Sequence, residues 1–78
     1  MKLKTIADFY GADRVRIYTK HLADENKIAD FSLGYMSLKN EIFSRIDIAE
    51  YGNREVSCMG LKIGSPLNES EVILEILL

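Results

Sequence analysis

Leu38 to Tyr51, LKNEIFSRIDIAEY, is the stretch whose conformation decides the architecture of this chain. As a helix it carries the stripe Leu38, Ile42, Ile46 and Ala49, capped by Ser37 at its start and ended by Gly52 at C′. As a strand it puts Ile42, Ser44, Ile46 and Ile48 on one face, with Phe43, Arg45 and Asp47 on the other. Gly52-Asn53 then becomes a two-residue hairpin turn into the next strand. The isoleucine-rich RIDI segment favours the strand, while Leu38, Glu41 and Ala49 favour the helix. The strand is the leading expectation and the helix the alternative.

On the C-terminal side, Arg54 to Ile63 (REVSCMGLKI) reads as a strand with a bulge at Gly60. Gly64 to Ser70 is a loop that holds the single proline, Pro66. Glu71 to Leu78 (EVILEILL) is the final strand, and six of its eight residues are aliphatic. Such continuous apolarity calls for cover on both faces, so this end is expected to be packed and not frayed.

On the N-terminal side, Ile28 to Met36 reads as a strand with Phe31, Leu33 and Tyr35 on one face. Ala23 to Lys27 (ADENK) is turn chemistry. Arg14 to His21 (RVRIYTKH) alternates at period two, with Val15, Ile17 and Thr19 facing the core and Arg14, Arg16, Tyr18 and Lys20 facing away. These two strands are expected to form an antiparallel hairpin. Leu3, Ile6, Ala7 and Tyr10 draw one stripe of a short opening helix with Lys4 and Asp8 on its open side, stopped by Gly11 in the left-handed region. The expected fold is α+β: one N-terminal helix packed on a four- to five-stranded, mostly antiparallel meander, in a single domain spanning residues 1–78.

Seventy-eight residues supply one small core, and a chain of this size buries only about 60–65% of its unfolded surface. Disulfides cannot add stability, because Cys58 is the sole cysteine. One His and one Cys make a metal site a poor expectation. Association is therefore the natural extra source of stability, and a homodimer is expected. The net charge of −2 and pI near 5.3 lack the basic excess of a nucleic-acid binder. No apolar run reaches membrane-span length, and the N-terminal residues MKLKTIADFYGADR lack a signal-peptide core. A lone thiol fits a reducing compartment, so a cytoplasmic location is expected.

The sharpest surface feature is the row Arg14, Arg16, Tyr18 and Lys20. Cations interleaved with an aromatic can dock an acidic protein surface through Arg and Tyr. They can also track a phosphate backbone and stack a base, or simply form a solvated strand face over which arginine stems lie. His21 has no adjacent nucleophile to make it a general base. Cys58, flanked by strand residues, is expected to be buried and structural. Asp24, Glu25, Glu69, Glu71 and Glu75 show no metal-loop spacing. Asn68-Glu69-Ser70 matches the glycosylation pattern without a secretory context. No cofactor motif is present. The aromatic residues exceed what so small a core hides, which again points to an interface.

The opening helix, the strand Val15-Arg16-Ile17-Tyr18, the segment Tyr51-Gly52-Asn53-Arg54-Glu55-Val56-Ser57 ahead of the last strands, and the aliphatic close at Val72 to Leu77 form one layout. It resembles short accessory proteins encoded by phages and other mobile elements of low-GC Gram-positive bacteria, a pool that includes anti-CRISPR proteins. The chain departs from that layout in its longer middle, Ile28 to Asn40. The resemblance implies a non-enzymatic, protein-binding inhibitor that acts by occluding a surface, and it carries no functional residue across. The alternative expectation is a small nucleic-acid-binding or regulatory protein using the basic row.

Overall fold

The computed structural model describes residues 1–9, 11–33, 37–64 and 71–78. The Ser37 hydroxyl accepts a hydrogen bond from the Asn40 N–H at 3.2 Å and caps the helix Leu38–Arg45, α1. The Asp8 carboxylate accepts from the Lys39 N–H at 3.0 Å, so a second first-turn donor is satisfied. Ile46 is extended, which ends α1, and Asp47 then caps a single further turn, Ile48–Tyr51, α2, by accepting from the Glu50 N–H at 3.3 Å. The strand expected over 38–51 is therefore replaced by two capped helices. Caps satisfy the donors that a strand would need a neighbouring ladder to satisfy, and this outweighs the β preference of RIDI.

Gly52 follows α2 in right-handed geometry, neither a hairpin turn nor a left-handed stop. A Cβ there would lie 2.5 Å from the Ile48 carbonyl oxygen and 2.8 Å from its Cγ2. The position needs glycine for close approach, and its carbonyl in turn accepts from the Lys4 N–H at 2.9 Å. The expected opening helix is reduced to one 3-10 turn, Leu3–Thr5. Its backbone is spent on distant partners instead, with Leu3 N–H donating to the Arg54 carbonyl at 3.0 Å. Leu3 and Ile6 are buried as expected, whereas Ala7 is exposed. Among the described glycines only Gly64 has a positive φ, 86°, so Gly11 is not a left-handed stop.

The strands are Arg14–Tyr18 (β1), Lys27–Ser32 (β2), Cys58–Ile63 (β3) and Val72–Leu77 (β4). They form one four-stranded sheet in the order β2-β1-β4-β3. The β1–β2 hairpin is antiparallel, as the sequence reads, and β3 pairs antiparallel with β4. The expectation of a meander fails at the centre, where β1 and β4 run parallel. Asp13 sets up that pairing: its N–H donates to the Val72 carbonyl at 2.7 Å, and its carboxylate accepts from the Val72 N–H at 2.8 Å. No bulge occurs at Gly60, which pairs in register with Glu75; the ladder slips instead between Ile17 and Tyr18. β1 ends there, so Thr19, Lys20 and His21 lie outside it.

One face of the sheet carries the helices. Val15 and Ile17 of β1, Phe31 of β2, and Leu74 and Ile76 of β4 pack there with Leu3, Ile6, Leu33, Leu38 and Ile42. The central place of β4 accounts for its apolar run: Leu74 and Ile76 lie in this core, while Ile73 is fully buried on the opposite face. The helices do not extend over β3, all of which is exposed. The loop expected at 64–70, with Pro66, lies outside the described residues beyond Gly64, as do Tyr10 and Tyr35.

Candidate functional site

The face of the sheet away from the helices gathers the charge. Arg14, Arg16 and Tyr18 project there from β1, and Lys20 stands beyond the strand end, exposed. The hairpin register sets Arg16 opposite Asp30, and Asp30 collects the cations. Arg14 Nε donates to its Oδ1, Lys27 Nζ lies 3.2 Å from Oδ2, and Arg16 Nε lies 3.4 Å from the same oxygen. Burial works to raise the Asp30 pKa, but the hydrogen bonds from Arg14 and Lys27 and the charges of Arg14 and Arg16 outweigh it. The group stays below the ordinary aspartate range.

Tyr18 is only 4% exposed. Its hydroxyl donates to Glu75 Oε2 at 3.3 Å. Burial first, and then the Glu75 charge, push its pKa above the usual tyrosine value. The structure thus brings Arg14, Arg16 and Tyr18 onto one face, as the period-two reading requires, but spends them on Asp30 and Glu75. Only Lys20 of that row stands exposed.

The sequence reading missed the surface that is left open. β3 is an edge strand, and Cys58 on it is exposed, contrary to the expected burial. No described helix lies over β3 to bury its side chains, and the strand pattern alone does not say which strand the helices leave bare. Register with Ile76, Leu74 and Val72 places Met59, Leu61 and Ile63 on the helix-bearing face. They are 42%, 55% and 77% exposed, because no helix among the described residues covers them. An exposed apolar edge strand is a template for pairing with another chain. The opposite edge, β2, is blunted by the Lys27–Asp30 pair, whereas β3 carries only Lys62 as a charge.

Among the described residues no pocket forms, and no cluster of His, Cys, Asp or Glu is placed to hold a metal ion. No helix there is long and apolar enough to cross a membrane. The chain matches no family model, no curated protein and no solved structure with which it was compared.

Proposed function

We propose that this chain is a non-enzymatic protein-binding module whose contact surface is the open edge of β3. The observation that carries this reading is the coincidence of a strand edge that no described strand pairs with and the exposed row Met59, Leu61 and Ile63. β-strand addition supplies affinity through main-chain hydrogen bonds and specificity through alternate side chains, and β3 offers both. The net charge of −2 supports a protein contact over the nucleic-acid alternative, since it lacks the basic excess that phosphate binding draws on.

Capture from a lysate that also contains the untagged chain, with the tagged parent, Leu61→Lys and Lys20→Glu chains, tests the reading. A protein retained by the parent and by Lys20→Glu, but lost with Leu61→Lys, is the expected result. Capture indifferent to Leu61→Lys and abolished by Lys20→Glu would move the contact to the basic row. A captured nucleic acid whose binding falls steeply with salt would establish the alternative.

A further inference from the structure

We infer that the partner at the β3 edge is a second copy of this chain, paired antiparallel about a two-fold axis through Leu61. The inference rests on the reading of that edge as the binding surface and names its occupant. Gly64 N–H donates to the Glu71 carbonyl at 2.7 Å. In an antiparallel ladder the residues that bond a given neighbour alternate. Cys58, Gly60 and Lys62 therefore turn their backbone groups toward β4, and Met59, Leu61 and Ile63 turn theirs to the open edge. The residues with exposed apolar side chains are thus the ones whose backbone groups have no strand partner among the described residues.

A two-fold axis perpendicular to the sheet keeps each face on its own side, so residues of like parity must oppose each other. Placing the axis at Leu61 pairs Leu61 with its own copy and Met59 with Ile63 of the other. Every outward N–H and C=O of the three then finds a partner. Their side chains meet on the helix-bearing face as one continuous apolar cluster, and the four strands of each copy join in a single sheet. Moving the axis to Gly60 would pair Met59 with Leu61 and leave Ile63, the most exposed of the three, beyond the matched row.

The opposite face supplies complementary charge. In this register Lys62 of one copy lies directly across from Gly60 of the other. Gly60 in turn pairs with Glu75 on β4. A side chain at Gly60 would meet nothing within 4 Å, so the space above it is open. Lys62 and Glu75 of opposite copies then stand two strands apart, about 9.6 Å between backbones at the usual strand spacing. The lysine stem and the glutamate side chain together span that gap across the bare glycine. Among the described residues Lys62 has no carboxylate partner, and Glu75 accepts only from Tyr18. Docking gives each a charged partner.

Sedimentation equilibrium of the intact chain, with thermal melts as the folding control, tests the pairing. The parent is expected to be a dimer at high micromolar concentration. Leu61→Lys and Lys62→Glu should each weaken it at least tenfold, and both substitutions fall on exposed positions. Glu75→Lys alone should weaken it likewise. An equimolar mixture of Lys62→Glu and Glu75→Lys chains should recover dimer as the mixed species, because opposite charges again face each other across Gly60.

In a Cys58→Ser background, Leu61→Cys should cross-link to itself under mild oxidation, since directly paired backbones lie within disulfide reach. Met59→Cys should cross-link only when mixed with Ile63→Cys. A parent that stays monomeric overturns the pairing, and so does a dimer indifferent to Leu61→Lys. Self-cross-linking of Met59→Cys overturns the register. A monomeric parent whose lysate capture is still lost with Leu61→Lys would sink self-pairing alone, whereas capture indifferent to that change sinks the edge reading itself.

Discussion

Replacing Asp30 by Asn removes the one carboxylate on which Arg14, Arg16 and Lys27 converge. A fully exposed ion pair contributes about 0–1 kcal/mol, and breaking a fully buried one costs about 3–5 kcal/mol. Here the Asp30 side chain is 23% exposed and its cations 25–31%. The loss should accordingly fall between those limits, at about 1–3 kcal/mol. Asparagine keeps the shape and some hydrogen bonding but leaves clustered cations, among them Arg16, whose buried Nε has no hydrogen-bond partner. Because the folded-state pKa of Asp30 is lowered, its contribution is present above the unfolded value of about 3.9 and fades as pH falls through the folded value. Urea melts at neutral pH should show the variant less stable than the parent. On acidification below pH ~4 the parent should lose that advantage and the two curves should converge. A neutral-pH difference under about 0.5 kcal/mol, the scatter of ordinary surface changes, would refute the argument. So would a gap that persists undiminished in acid. By the same reasoning, reversing Arg14 and Arg16 to Glu would crowd three carboxylates and weaken the fold, which makes that double variant a poor probe of binding.

Ser37→Ala should cost about 1 kcal/mol in a denaturant melt, the usual value of an N-cap, and an unchanged midpoint would mean that Asp8 alone holds the start of α1. Ile76→Ala, at a fully buried position on a central strand, should cost about 2–5 kcal/mol. A loss below about 1 kcal/mol would mean that β4 is not the centre of the core.

The β1–β2 hairpin was legible because alternation over Arg14 to Tyr18 is a local signal, and so was the α+β class. The cap at Ser37 was also visible, but its weight against RIDI was not, since propensities over so short a stretch nearly cancel. What escaped was non-local. Nothing in the Val72 to Leu77 run says that it will lie parallel to β1, because that depends on Asp13 reaching Val72 across the chain. The shrinkage of the opening helix likewise follows from Leu3 bonding Arg54, far along the sequence. For the candidate site, the alternation shows that Arg14 and Arg16 share a face but not that they pair with Asp30. That pairing arises only through the hairpin register, which sets Arg16 opposite Asp30 across the ADENK turn. The open edge was hidden for the same reason: Cys58 to Ile63 has the pattern of any strand, and only the sheet order makes it the last one.

Amide hydrogen exchange measured residue by residue at low and high protein concentration tests the central claim most directly. The account predicts that Cys58, Gly60 and Lys62, which bond β4, are protected at both concentrations. Met59, Leu61 and Ile63 should exchange freely when dilute and become protected together when concentrated. If those three amides exchange at unprotected rates at every concentration while their neighbours stay protected, the β3 edge is not paired with a second copy.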